Sequence, residues 1–191
     1  MDCSKITKGL IAATCGKNAT AGLEDDVLLI NFDDIDRTLS VVEDNVITSI
    51  VLKSGAKAYK FTTIGRSLND MGGTLTKGTY RDFWLHSLPL RIFTKNEDSK
   101  AFVNDLTAGA RLVPVIKNKE TGVAGDVKYE ALGWDNGLEL NEGTFSAAMT
   151  DGVVYDITLS STDTAQEGSL PKSIFDTDLA TTEAMINALS V

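Results

Sequence analysis

Hydrophobic positions in the first part of the chain fall in short runs bounded by glycine and polar residues, which is the pattern of β-strands. VLLINF (27–32) is an unbroken apolar run and predicts a buried strand. NVITSIVL (45–52) and KAYKFTTI (57–64) flank the segment KSGA, and they predict a hairpin that turns at Gly55. This part of the chain is therefore expected to be β-rich.

A long extended run precedes the clearest helix. TYRDFWLHSLPLRIF (79–93) has aromatic residues at both odd and even positions, and it predicts a strand with an edge or a bulge at Pro89. NEDSKAFVNDLTAG (96–109) predicts a helix, because Asn96 can cap its first turn and Gly109 can end it.

The rest of the chain predicts more strands and a second helix. Four β-prone runs predict an antiparallel meander, namely RLVPVIKN (111–118), VKYEALGW (127–134), GLEL (137–140) and GVVYDITLS (152–160). TDLATTEAMINAL (177–189) predicts a helix capped by Thr177, with an apolar stripe that Thr182 interrupts.

The segment GRSLNDMGGTLTKG (65–78) is polar, contains four glycines and has no sustained period, so it predicts a long loop with a function. The expected fold class is mainly β (α+β): an antiparallel β-sandwich or barrel with a flanking α-helix, this loop and a C-terminal helix. We expect three parts: an N-terminal arm (1–24), a sandwich or barrel domain (25–176) and the C-terminal helix (177–191).

Charge is distributed unevenly along the 191 residues, whose formal net charge is −9. Residues 51–100 contain 9 basic and 4 acidic residues, whereas residues 1–50 contain 4 and 9, and residues 101–191 contain 5 and 14. The net negative charge argues against ordinary binding to nucleic acid. A positive segment in a negative chain is expected where identical subunits meet head to tail, although chance clustering on a solvated surface gives the same pattern.

The apolar runs are too short for a membrane-spanning helix, which needs about 20 residues. Lys5 and Lys8 followed by GLIAATC resemble a signal peptide only weakly, because the apolar stretch is short and is broken by Gly9. Cys3 and Cys15 are therefore expected to be free thiols in a reducing cytoplasm.

Candidate chemistry is sparse. His86 is the only histidine, and on a strand it shares a face with Trp84, which favours a packed structural role. The cluster at 33–36 (DDID) offers carboxylates to a cation but lacks the glycine and distal glutamate of an EF-hand loop. No nucleotide-binding, CxxC or nucleophile-elbow motif is present, so we predict no catalytic residue, no cofactor and no metal site, and a protein that is not an enzyme. A pair of glycosidase carboxylates stays open at this level.

The order of parts resembles that of the tail-tube, or major tail, proteins of tailed bacteriophages and related contractile injection systems. The resemblance covers about residues 25–175. It rests on the hairpin, the long loop, FWLHSLPLRIF, the capped helix, RLVPVIKN, YEALGWDNGLEL, and DGVVYDITLSS followed by SLPKSIF. It implies six subunits that join inner sheets into a ring, rings that stack through the long loop, and an acidic bore that conducts DNA.

The resemblance also implies sites and partners. The candidate lumen acids are Glu130, Asp135, Glu139 and Asp156. The candidate inter-ring contacts are Arg66, Met71, Leu75 and Lys77. The implied main partner is the protein itself, in the ring and in the stack, with sheath, tape-measure and connector proteins beside it. DNA is only in transit, no membrane is involved, and the expected location is the virion tail after synthesis in the host cytoplasm.

Three alternatives remain at this level. A head–tail connector or tail-terminator protein has a similar fold but forms one ring. An extracellular adhesin or fimbrial subunit would need the N-terminal segment to be an export signal. A small hydrolase would need a catalytic pair that the sequence does not reveal.

Overall fold

The structure is a computed structural model, and it describes residues 22–62, 71–122, 124–146 and 152–190. Its strands are β1 (Leu23–Asn31), β2 (Val41–Glu43), β3 (Val46–Ser49), β4 (Tyr59–Thr62), β5 (Gly72–Thr76), β6 (Phe83–Ile92), β7 (Leu112–Asn118), β8 (Tyr129–Ala131), β9 (Glu139–Phe145), β10 (Tyr155–Ser160) and β11 (Lys172–Ile174). Its α-helices are α1 (Glu97–Thr107) and α2 (Leu179–Leu189), and a 3-10 turn spans Phe32–Asp34.

The strands form two sheets, which confirms the mainly β fold class. The larger sheet has seven strands in the order β2-β3-β11-β8-β7-β1-β4, and only β3 and β11 are parallel within it. The smaller sheet has four strands in the order β5-β6-β10-β9, and every pair in it is antiparallel.

Two hydrophobic cores lie on opposite faces of the larger sheet. Between the sheets, Val27 and Leu29 of β1 pack with Leu90 of β6 and Leu159 of β10, and Phe102 of α1 packs against them. The other face of β1 and β7 packs with residues of α2, including Ile186. A strand buried on both faces needs apolar residues at odd and even positions, which explains the unbroken runs of β1 and β7.

Helix α1 forms as its sequence predicts. The Asn96 side chain accepts from the N–H of Ser99, and the Ser99 hydroxyl accepts from the N–H of Asn96, which together make a capping box. Gly109 has φ +98°, a conformation that glycine adopts without a steric penalty and that ends the helix.

The predicted hairpin between 45–52 and 57–64 is wrong. The turn at Gly55 exists, with φ +81° and an N–H of Ala56 that donates to the carbonyl of Lys53 at 3.0 Å. However, β3 pairs with β2 and β11, and β4 pairs with β1 at the far edge of the same sheet. β3 and β4 do not pair with each other, because β11 is the partner of β3 and the buried strand β1 is the partner of β4.

Two further expectations are corrected. The four predicted strands do not form one meander, because β8 pairs with β7 and β11 in the larger sheet while β9 pairs with β10 in the smaller one. The predicted loop 65–78 contains β5, which pairs with β6 from Gly72 opposite Ser87 to Thr76 opposite Phe83. Pro89 lies beyond the end of β5, on a part of β6 that pairs only with β10 among the described residues, which agrees with the expected edge.

Helix α2 is capped by Asp178, whose side chain accepts from the N–H of Thr181 at 2.8 Å, and not by Thr177. Thr182 does not interrupt the apolar face but is fully buried in it. Its hydroxyl donates to the carbonyl of Asp178 at 2.8 Å and accepts from the N–H of Asp176 at 3.0 Å. A polar residue fits this core because both of its hydrogen-bonding roles are used.

The predicted boundaries of the N-terminal arm and of the C-terminal helix differ from the observed elements. β1 begins at Leu23, two residues inside the predicted arm 1–24, and residues 1–21 lie outside the described residues. The predicted C-terminal helix packs on the second core through Ile186 and Leu189, so it belongs to the same folded unit as the sheets.

Thr182→Val should lower the free energy of unfolding by about 0.5–1.5 kcal/mol, because the part-buried N–H of Asp176 loses its acceptor. Thr182→Ser keeps the hydroxyl and is the matched control, with a smaller loss. Urea denaturation of both variants measures the difference. Equal stability of the valine variant and the wild type would show that this hydroxyl does not anchor α2.

Candidate assembly surfaces

A glycine corner carries the chain from the larger sheet to the smaller one, between β8 and β9. Gly133 has φ +65° and Gly137 has φ +83°, and the N–H of Gly137 donates to the carbonyl of Gly133 at 2.8 Å. A Cβ at Gly133 would lie 2.8 Å from Cγ of Leu138, so the corner has no room for a side chain there.

A buried glutamate, Glu167, holds this corner. Its carboxylate accepts from the N–H of Asp135 at 2.8 Å and from the N–H of Asn136 at 3.0 Å. Its backbone forms a two-way bridge with Trp84 of β6. Glu167 is 2% exposed, and burial raises the pKa of its carboxyl above the usual value. The corner is therefore tied to the segment that precedes β11.

His86 connects the same elements from the smaller sheet. Its Nδ1 accepts from the N–H of Gly133 at 3.2 Å, so its Nε2 carries the proton and donates to the carbonyl of Ser169 at 3.0 Å. The ring is 1% exposed, and burial lowers its pKa below the usual value. Both ring nitrogens are engaged in structural hydrogen bonds, as the packed-histidine interpretation expects.

Charged residues surround the corner and compensate one another. Lys172 Nζ lies 3.7 Å from Oδ1 of Asp135 and donates to Oγ of Ser169 at 3.2 Å. The guanidinium of Arg37 stacks on Trp134, 4.3 Å from the ring centroid. Glu167, His86 and Lys172 are buried, whereas Arg37 and Asp135 are exposed at the rim. The cluster is a structural junction, because its hydrogen-bonding groups are used to join chain segments.

The smaller sheet has one face towards the core and one face that points outward. Leu88, Leu90, Ile157 and Leu159 point to the core, so the alternate residues of β6 and β10 point outward. This outward face, with the cross-strand partners on β5 and β9, carries Thr74, Ser87, Arg91, Glu139, Glu142, Thr144, Asp156, Thr158 and Ser160. The same alternation puts Phe83, Leu85 and Pro89 of β6 on this face, so it combines apolar residues with hydroxyl groups and acids. Arg91 Nε lies 3.5 Å from Oδ2 of Asp156.

Among the described residues, the two outer strands of this sheet each have one edge without a neighbouring strand. In the described part of the chain, β5 pairs only with β6 and β9 pairs only with β10. GGTLT, the sequence of β5, contains no charged residue and no proline, the two residue types that usually protect edges. Leu75 on β5 is 43% exposed and Phe145 on β9 is 81% exposed. Unpaired backbone groups beside exposed apolar side chains make a surface suited to strand addition.

The predicted lumen acids do not all share one face. Glu139 and Asp156 lie together on the outward face of the smaller sheet. Glu130 lies on β8 of the larger sheet, half-buried, and accepts from the side-chain amide of Asn118 at 2.7 Å. Asp135 lies in the glycine corner beside Lys172.

The predicted inter-ring residues are also separated. Met71 is half-buried against the core between the sheets, Leu75 is on the open edge of β5, and Lys77 is exposed directly after β5. Arg66 lies outside the described residues. Their inter-ring role stays a prediction.

Sequence reasoning missed two residues that matter here. Glu167 lies in the polar run STDTAQEGS (161–169), and no hydrophobic periodicity around it indicates that its side chain is buried. Phe145 was missed because the predicted strand ended at residue 140, whereas β9 continues to Phe145 through a shift in register between Leu140 and Glu142. The sequence signal that could have extended this strand is the alternation of residue types in GTF (143–145), directly after Glu142.

Other site types find little support in the described residues. In the cluster at 33–36, Asp33 bonds Arg111 at 2.9 Å and Asp36 accepts from the N–H of Thr38 at 3.0 Å. Across ranges 22–62, 71–122, 124–146 and 152–190, no three His, Cys, Asp or Glu residues are grouped for metal binding. No helix within those ranges is long and apolar enough to span a bilayer.

Comparison with known proteins gives no relative. No protein-family model, no curated protein and no solved structure matches this chain. Function is therefore inferred from the geometry of the two sheets and from the resemblance in element order.

His86 should make the free energy of unfolding fall as pH falls below about 6.5, because the histidine of the unfolded chain binds its proton at a higher pH than folded His86 does. Burial lowers the pKa of His86 in the folded state. Glu167 contributes to the pH dependence with the opposite sign. Burial raises the pKa of its carboxyl above the usual glutamate value, so the folded state binds this proton at a higher pH than the unfolded chain does.

His86→Gln keeps one donor and one acceptor but does not titrate, so it isolates the histidine contribution. Denaturant unfolding from pH 5 to pH 7.5 should show a shallower slope for this variant than for the wild type. Parallel pH profiles would contradict the buried, neutral state of His86.

Proposed function

We propose that this protein is the subunit of a phage tail tube, which assembles into rings that stack around a channel for DNA. The observation that carries the proposal is the smaller sheet, whose two outer strands have no second neighbour among the described residues and whose outward face carries Glu139, Glu142 and Asp156. The expected ring has six subunits, as the resemblance in element order implies.

Strand direction supports head-to-tail joining. Each neighbouring pair in the order β5-β6-β10-β9 is antiparallel, so an even number of strands leaves β5 and β9 running in opposite directions. When copies are related by rotation about one axis, β9 of one copy meets β5 of the next in an antiparallel sense. Every copy then uses both edges, and closure of the ring leaves none open.

The size of such a ring suits a conduit. Six sheets of four strands give a barrel of about 24 strands, and a strand spacing of about 4.8 Å makes it about 40–50 Å across its backbone. Large barrels of this kind enclose a channel rather than a packed core. The lumen would be wide enough for a DNA duplex.

Charge on the outward face supports its assignment to the lumen. Glu139, Glu142 and Asp156 lie on this face together with hydroxyl residues, and Asp156 compensates Arg91. Like charge keeps a polyanion mobile, whereas a basic wall would bind its phosphates by releasing counterions. The sheet that faces the bore is therefore the smaller one, with the larger sheet and α2 outside it.

Rings stack through the segment around β5 in this proposal. Lys77 is exposed at the end of β5, next to the segment in which the sequence predicts inter-ring contacts. Sheath, tape-measure and connector proteins are the further candidate partners that the resemblance implies. Electron microscopy of the purified protein distinguishes long tubes from the single rings of a connector or terminator protein.

Phe145→Ala should weaken ring formation while leaving the subunit folded, because Phe145 is 81% exposed in the isolated chain. Burying a phenylalanine at each contact contributes about 2 kcal/mol, so the concentration needed for assembly should rise about tenfold to a hundredfold. Tyr80→Ala is the matched control, since Tyr80 is fully exposed and lies outside both edge strands. Analytical ultracentrifugation measures both, and equal effects would remove Phe145 from the assembly surface.

Glu142→Lys combined with Asp156→Lys should make the tube retain DNA at low salt and release it at high salt. Glu43→Lys combined with Asp105→Lys applies the same charge change on β2 and α1, away from the outward face. Co-sedimentation of assembled tubes with linear DNA reports retention. Equal retention by the two double variants would show that the outward face does not line the channel.

A further inference from the structure

We infer that β9 of one copy pairs with β5 of the next in a single register, in which Phe145 lies opposite Gly73 and Leu75 lies opposite Gly143. The central pair of this seam is Thr144 opposite Thr74. The inference rests on the proposed ring, and it specifies which residues make the contact between copies.

The faces of the two edge strands limit the choice of register. Gly73 is opposite His86 and Leu75 is opposite Trp84, so both residues are on the core-facing side of the sheet. On β9, Gly143 is opposite Ile157 and Phe145 is opposite Tyr155, which puts them on the same side. The core-facing residues of both strands must lie on the same side of the joined sheet. The registers that meet this condition differ from one another by two residues, because a slip of one residue moves every side chain to the other face.

The length of the regular ladder then selects one of these registers. β9 shifts register between Leu140 and Glu142, so its regular part is 142–145. In the proposed register, residues 142–145 pair with residues 73–76, so all four of them have a partner on β5. A shift by two residues towards either end leaves some of them beyond β5, and their backbone groups would lose partners.

Side-chain size fits the same register. Each strand presents one large apolar residue and one glycine on the core-facing side, in an arrangement that places each large residue against the partner's glycine. Phe145 and Leu75, both exposed in the isolated copy, then cover Gly73 and Gly143. An aromatic or aliphatic side chain across from a glycine is a favourable cross-strand pair, because it shields the bare backbone.

Closure of the barrel is compatible with this stagger. Within one copy Thr74 pairs with Leu85 of β6. Thr144 pairs with Asp156, which in turn pairs with Arg91 of β6, six residues after Leu85. Joining Thr74 to Thr144 therefore shifts the sheet by about six residues for every four strands, which tilts the strands by about 45°. Closed barrels have tilts of about 35–45°, and this value does not depend on the number of copies.

The inference gives Leu75 a role within the ring, whereas the resemblance placed it between rings. A residue on the core-facing side of an edge strand meets the neighbouring copy around the ring, not the copy above it.

Disulfide trapping tests the register directly. The variant carries Thr74→Cys and Thr144→Cys in a background with Cys3→Ser and Cys15→Ser. Both threonines are exposed, and within one copy they are separated by three strand spacings, or more than about 14 Å, too far for a disulfide. Every bond must therefore join two copies. Mild oxidation of assembled protein should give a ladder that ends at the closed ring on a non-reducing denaturing gel.

The matched control pair is Thr74→Cys with Glu142→Cys. These two positions lie opposite each other only in the register that is shifted by two residues. Bonding of this pair in place of Thr74 with Thr144 would overturn the inferred register and leave the ring intact. Rings seen by electron microscopy in which neither pair bonds would overturn the β9–β5 seam itself. Absence of rings and tubes from the wild type would instead contradict the proposed function.

Discussion

The fold depends on one crossing, the corner at 133–137 that moves the chain from the larger sheet to the smaller one. Glycine at 133 is required because a Cβ would overlap Leu138, and the turn exposes backbone N–H groups that no strand can satisfy. Glu167 accepts two of them and His86 accepts a third. A buried carboxylate and a neutral imidazole are costly to desolvate, so their presence here indicates how strongly the corner needs acceptors.

This crossing determines what the protein exposes. Because β9 leaves the corner into the smaller sheet, it ends that sheet on one side, while β5 ends it on the other. The larger sheet is covered on both faces, by the smaller sheet and α1 on one and by α2 on the other. In the described part of the chain, the surface left for partners therefore includes the outward face and the two edges of the smaller sheet, besides the β2 and β4 edges of the larger sheet. Open edges are a hazard for a monomer and are satisfied when copies close into a ring.

The parts that the sequence predicted correctly are those governed by local rules. The unbroken apolar runs of β1 and β7 and the capped helix α1 needed no knowledge of distant residues. The hairpin failed because β3 takes the parallel partner β11, about 125 residues later in the chain. β2 has three exposed residues and no apolar alternation, so it gave no signal. Of the four acids that the sequence placed in a lumen, only Glu139 and Asp156 share a face, since the register shift near Leu140 and the corner decide where acids point.

Amide hydrogen exchange shows whether β5 and β9 are the strands that join copies, as we propose. Peptides covering 72–76 and 139–145 are compared between dilute unassembled protein and assembled protein. The account predicts fast exchange at the open-edge amides of both strands in dilute protein and strong protection after assembly, with little change at β2 and β4. Assembly that protects β2 and β4 while β5 and β9 continue to exchange rapidly would contradict it.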